Sequence, residues 1–122
     1  MKLVNETRKI LGDPEMSISS TAARIPVFYG HAESVNVETK HKLSIDKLKS
    51  LLSKTEGVKV VDNINNNEYP LPLNSEEDDS VMVGRIREDF SIENGINLWV
   101  VANNLRKGAA LNAVQIAEKL LL

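Results

Sequence analysis

Two short apolar runs, Val81–Arg87 and Ile96–Ala102, stand on either side of a polar break around Asn94-Gly95. Runs of this length, rich in β-branched residues and joined by a turn dipeptide, read as neighbouring strands with no helix between them. That arrangement argues for a mixed or antiparallel sheet, because a strictly parallel sheet needs a crossover element between each pair of strands.

The rest of the chain is read around that pair. Leu3, Val4, Thr7, Ile10 and Leu11 share one face of a helix over residues 2–11, which Gly12 and Pro14 stop. From Ile18 to Phe28, Ala23, Ile25 and Val27 alternate with Arg24, Pro26 and Phe28. This predicts a strand, with Pro26 placing it at an edge or a bulge. After the break at Gly30-His31, Val35 and Val37 alternate with polar residues as a second strand. Ser44 caps a helix carrying Ile45, Leu48, Leu51 and Leu52, which ends at Gly57. Val58–Val61 reads as a short buried strand and residues 62–79 as a long surface loop. A helix from about Gly108 closes the chain, with Ala110, Ala113, Val114, Ala117 and Leu121 on one stripe. Its small side chains suit close approach to another surface. The predicted order is α-β-β-α-β-β-β-α. It implies an α+β fold with a mixed, largely antiparallel sheet and helices packed on one face.

Composition narrows function by exclusion. The 122 residues suffice for one core, and 42% hydrophobic with 26% charged residues is a globular balance. A net charge of −2 gives no electrostatic case for nucleic acid or an anionic membrane. No apolar run approaches the ~20 residues that span a bilayer. The first residues lack the parts of a signal peptide, so a cytoplasmic location is expected. The chain has no cysteine, which removes disulfides, thiolate metal sites and thiol nucleophiles.

Few residues suggest chemistry. His31 follows a glycine at a strand end, and histidine is a residue type that can pass protons, although histidines are common in surface turns too. Arg24 is a charge inside an apolar stretch. It calls for a carboxylate, either on a ligand or on Glu33 or Glu38. A fully extended chain would hold Arg24 and His31 about 20 Å apart, so one shared site requires a bend at Pro26 or Gly30. Lys2 and His41 read as solvated. Arg85 and Arg87 share a strand face and are expected to pair with Glu88, Asp89 or a sheet neighbour. The run Glu76-Glu77-Asp78-Asp79 lacks the glycine and spacing of a calcium loop and reads as a solvated tip. No metal site is expected.

Five ordered segments resemble the bacterial aspartate-semialdehyde dehydrogenases. They are Lys2-Leu-Val-Asn-Glu-Thr-Arg-Lys-Ile-Leu11, Arg24-Ile-Pro-Val-Phe-Tyr-Gly-His-Ala-Glu-Ser-Val-Asn36, Tyr69-Pro-Leu-Pro72, Val83-Gly-Arg-Ile-Arg-Glu-Asp89 and Leu98-Trp-Val-Val-Ala-Asn-Asn-Leu-Arg-Lys-Gly-Ala-Ala-Leu-Asn-Ala-Val-Gln-Ile-Ala117. The resemblance implies the C-terminal half of such an enzyme, with residues 1–122 as its dimerisation domain, incomplete at its N-terminus. The fold would be like the C-terminal domain of glyceraldehyde-3-phosphate dehydrogenase-type enzymes. The family's dinucleotide loop, nucleophilic cysteine and substrate glutamine would lie upstream.

The implied reaction is reductive dephosphorylation of aspartyl-4-phosphate to aspartate semialdehyde with NADPH. It serves lysine, methionine, threonine and diaminopimelate synthesis. By the same resemblance, the histidine of Arg-x-Pro-Val-x-x-Gly-His, here His31, is the acid/base partner of the thiol. Arg24 clamps the substrate α-carboxylate, Lys2 helps to bind phosphate, and Asn104 contacts NADP. Ala22 stands where family members often carry a second, non-nucleophilic cysteine. The 122 residues alone are expected to bind no NADP and to be inactive, and to form a homodimer through the sheet face. For the dimer, Val81, Val83, Ile86, Leu98 and Val100 are expected to give the strands apolar residues on both faces. The alternative is a non-catalytic, standalone dimerisation module. An upstream reading frame carrying the glycine loop and a cysteine motif would discriminate the two.

Overall fold

A computed structural model of the chain describes residues 2–121; Met1 and Leu122 lie outside the described residues. Helix α1 spans Lys2–Leu11 and ends as its sequence requires. Gly12 takes φ +69°, and the Asp13 N–H returns to the Arg8 carbonyl at 3.1 Å, closing the last turn. Strand β1 is His31–Glu38, helix α2 Ile45–Ser53, and strand β2 Val58–Val60. Strands β3 (Val81–Asp89) and β4 (Gly95–Ala102) follow, then a π-helical turn over Arg106–Ala110 that runs into helix α3, Leu111–Leu121.

The four strands form one sheet in the order β1-β4-β3-β2. The pairs β1/β4 and β3/β4 are antiparallel, and β2 lies parallel to β3. The expected α+β class with a mixed, largely antiparallel sheet is therefore the observed one. Ser44 caps α2, accepting from the Lys47 N–H at 3.4 Å. Leu48 and Leu52 of this helix pack on the sheet against the buried cluster Val83, Ile86 and Ile96. Met82 and Val101, paired in register and fully buried, point to the opposite face.

Four expectations need correction. Ile18–Phe28 forms no strand. It pairs with neither edge strand, β1 nor β2, and without a partner's ladder β-propensity alone does not make a strand. The segment is irregular, bends at Pro26, where the Val27 N–H donates to the Ile25 carbonyl at 2.9 Å, and leaves Phe28 100% exposed. The strand expected around Val35 and Val37 begins earlier, at His31. Strand β2 is half-buried because it is an edge. Finally, Val81, Val83, Ile86, Leu98 and Val100 do not divide between faces: all belong to the α2-side cluster.

The long loop is also more ordered than its composition suggested. It holds short 3-10 turns at Ile64–Asn66 and Pro72–Ser75, and Pro70 and Ser75 are fully buried. Helices α1 and α3 bury no residue. No helix among the described residues is long and apolar enough to cross a membrane.

Candidate active site

The fold brings two distant segments to one corner of the sheet. His31 opens β1 opposite Ala102, the last residue of β4. One residue before it, the Gly30 N–H donates to Asn104 Oδ1 at 2.9 Å across 74 positions of sequence. Gly30 takes φ +86°, and a Cβ built there would lie 2.5 Å from Ser75 Oγ and 3.3 Å from the Pro72 carbonyl. Glycine is thus required both by the left-handed backbone and by the 72–75 turn packed beneath it. The result is an exposed imidazole on a tightly held backbone.

Asn103 ties the same corner together. It is 3% exposed, its Nδ2 donates to the Ser75 carbonyl at 2.9 Å, and its Oδ1 accepts from the N–H groups of Leu105 and Arg106 at 3.0 and 3.1 Å. It therefore caps the turn that starts α3. Ser75 is buried as well, and its Oγ donates to the Pro72 carbonyl at 2.6 Å. Arg106 closes the corner from outside with a two-bonded ion pair to Asp79, whose carboxyl is held below its ordinary range by the guanidinium hydrogen bonds.

The remaining candidates lie outside this network. Arg24 is exposed on the irregular segment, and no carboxylate among the described residues pairs with it; Glu33 and Glu38 do not. The bends at Pro26 and Phe28–Tyr29 and the turn at Gly30 do break the extended path between Arg24 and His31. Lys2 pairs with Glu6 at 3.7 Å on the surface of α1. Arg85 and Arg87 lack the expected carboxylate partners. Glu88 faces Lys42 at 3.8 Å, and Asp89 is taken by Asn36 and Ser91. Both arginines instead line a recess of about 540 Å³ with Tyr69, Pro70 and Trp99. Half of the acidic run is not a solvated tip: Asp78 bonds Lys59 and Asp79 bonds Arg106. Among the described residues no group of three or more metal-ligating side chains is assembled.

Comparison with known proteins gives this corner its context. The family model described as semialdehyde dehydrogenase, dimerisation domain, matches residues 1–107. The chain belongs to the semialdehyde dehydrogenase dimerisation-domain family. It is 53% identical over 119 residues, 98% of its length, to the aspartate-semialdehyde dehydrogenase of Aquifex aeolicus, and covers 35% of that protein. The enzyme of the same name from Legionella pneumophila is also 53% identical, with 97% of this chain and 34% of that one covered. The crystal structure of aspartate semialdehyde dehydrogenase II complexed with ASA from Vibrio cholerae superposes with a TM-score of 0.85 at 47% identity. That match covers 99% of this chain and 35% of the other. The chain thus spans about a third of the length of the curated relatives it matches.

Within this dimerisation domain, Gly30, His31 and Asn104 form one corner. Arg24 and Lys2 are not drawn into its hydrogen bonds. Sequence reading missed Asn103 and Ser75. An asparagine shortly before a helix start is a capping signal that could have found Asn103. Nothing in the polar 62–79 stretch marks Ser75 as buried.

Proposed function

We propose that the chain is the dimerisation and part-catalytic portion of an NADP-dependent aspartate-semialdehyde dehydrogenase that converts aspartyl-4-phosphate to aspartate semialdehyde in the cytoplasm. The observation that carries this reading is the Gly30–Asn104 bond. It joins the two segments that the resemblance separately assigns to acid/base chemistry and to cofactor contact. His31 exchanges a proton with the thiol supplied by the rest of the enzyme, then protonates the oxygen of the reduced acyl group. Its exposed ring on a braced backbone suits that duty. Arg24 offers a planar fork to the substrate α-carboxylate, and Lys2 offers a cation to its phosphate.

The cofactor supplies the hydride. The donor set at Asn104 fits a contact with it. Oδ1 is occupied by Gly30, while Nδ2 has no partner among the described residues and is left to donate. A polypeptide of these 122 residues alone is inactive on this reading, because it contains no cysteine to carry the acyl group.

The exposed apolar side chains of α1, α3 and residues 25–29 have a natural use in this account. They pack against the remainder of the enzyme, while a homodimer forms through the sheet face. The test is to mix the chain with the complementary two-thirds of a relative and follow phosphate-dependent NADP reduction with aspartate semialdehyde. Turnover from the mixture, and from neither part alone, is expected. A complex that forms without turnover supports the standalone dimerisation module instead.

A further inference from the structure

The catalytic reading uses Gly30, His31 and Asn104 but gives no work to Asn103, the more deeply buried neighbour. A primary amide in a sheet corner needs partners for every polar atom, and Asn103 has found them on two elements at once. Its oxygen holds the Leu105 and Arg106 amides, its nitrogen holds the Ser75 carbonyl, and its own carbonyl accepts from the Gly108 N–H at 3.0 Å. That last bond spans five residues, as does the Ala110 N–H to Leu105 carbonyl bond at 3.4 Å, and this widens the helix start into a π-turn. Such turns are uncommon and gather at functional sites. The Ser75 that Asn103 grips is the residue lying under the missing Cβ of Gly30.

We infer that Asn103 is a positioning residue: it locks the start of the terminal helix to the 72–75 turn and thereby fixes Asn104 and the Gly30-His31 backbone relative to each other. The catalytic meaning of this lock rests on the function proposed above; the lock itself does not. Cutting it lets the Asn104 side chain and the Gly30 amide drift apart without removing either group.

Two substitutions separate the parts of the lock. Asn103→Ala removes the cap and the grip on Ser75. Asn103→Asp keeps an oxygen for the Leu105 and Arg106 amides, where negative charge is favoured, and turns the grip on Ser75 into an oxygen facing its carbonyl. The first readout is amide hydrogen exchange of Gly30 in the full chain, with Val83 and Ile86 as fold controls. Exchange at Gly30 is expected to accelerate about tenfold or more in Asn103→Ala and about threefold or more in Asn103→Asp, with the controls unmoved in the latter. If Asn103→Ala unfolds, the aspartate variant decides alone. Unchanged Gly30 protection in a folded variant overturns the inference whatever the activity.

The second readout is kinetic, in the enzyme reconstituted with the complementary portion. A fall in kcat of about tenfold for Asn103→Ala, partly rescued by Asn103→Asp, supports both proposals. Faster Gly30 exchange with unchanged kcat and KM for NADP leaves the lock standing and overturns the roles given to His31 and Asn104.

Discussion

Asp62 offers the sharpest test of how the sheet is held. Its side chain is 1% exposed and makes three contacts: Oδ1 accepts from the Arg85 N–H at 2.8 Å, and Oδ2 from the Ile86 N–H at 3.3 Å and Lys49 Nζ at 2.7 Å. The two amides belong to the bulge where the β3/β4 register shifts between Gly84 and Arg87 and where Arg85 is forced to φ +53°. A non-glycine residue in that region costs of order 1–3 kcal/mol and persists only where its surroundings hold it. Asp62→Ala removes that hold. The buried Ile86 amide, left unpaired, costs about 1–3 kcal/mol, whereas the Arg85 amide lies near solvent and loses about 1 kcal/mol at most. Lys49 is 32% exposed and can turn to water, so its share is under about 1 kcal/mol. The expected loss is on the order of 3 kcal/mol. Asp62→Asn keeps one acceptor and is expected to lose about half as much. Arg85→Gly, which relieves the strained backbone, should stay within about 1 kcal/mol of the parent. Urea unfolding at one fixed protein concentration measures all three. A loss below about 0.5 kcal/mol for Asp62→Ala would refute the idea that this carboxylate holds the bulge.

Two further outcomes follow from the structure. Gly30→Ala combines a left-handed backbone with a clash against buried Ser75, so a loss of about 2 kcal/mol or more is expected, together with loss of the bond to Asn104 seen as faster hydrogen exchange of the residue-30 amide. The Asp78 carboxyl is lowered from 3.8 to about 2, first by its hydrogen bond from Lys59 and then by the Ser80 amide. A depressed carboxylate contributes stability above its unfolded pKa and loses it as pH falls through the folded one. The Lys59→Met variant should therefore be less stable than the parent above pH ~5, by under about 1 kcal/mol because Lys59 is largely in water, with the gap shrinking as pH falls and closing only below the folded pKa. A gap that persists at the acid end would assign the effect to something other than this pair.

The sheet was legible because its strands carry their own instructions. Val81–Asp89 and Gly95–Ala102 are short, branched and separated by a turn, and α2 carries both its cap and its apolar stripe. Residues 18–28 misled for a physical reason. Their alternation is a genuine strand pattern, but a strand exists only where the segment is brought alongside a partner's edge, and that information is not local. The candidate site was legible only in part. His31 and Arg24 stood out in the residue pattern, but their roles, and Lys2 and Asn104 as site residues, came from the family resemblance, whereas Asn103, Ser75 and Asp62 act by meeting partners far away in sequence. No periodicity records such meetings, although asparagine ahead of a helix was a usable hint for the first.

The central claim is that His31 moves the proton in a reaction completed by the rest of the enzyme. The direct measurement is His31→Gln in the reconstituted enzyme, with association of the two portions and the oligomeric state followed alongside. The account predicts intact assembly and a kcat about 10²–10⁴-fold lower. Full turnover with glutamine at position 31, in a complex of normal composition, would contradict it.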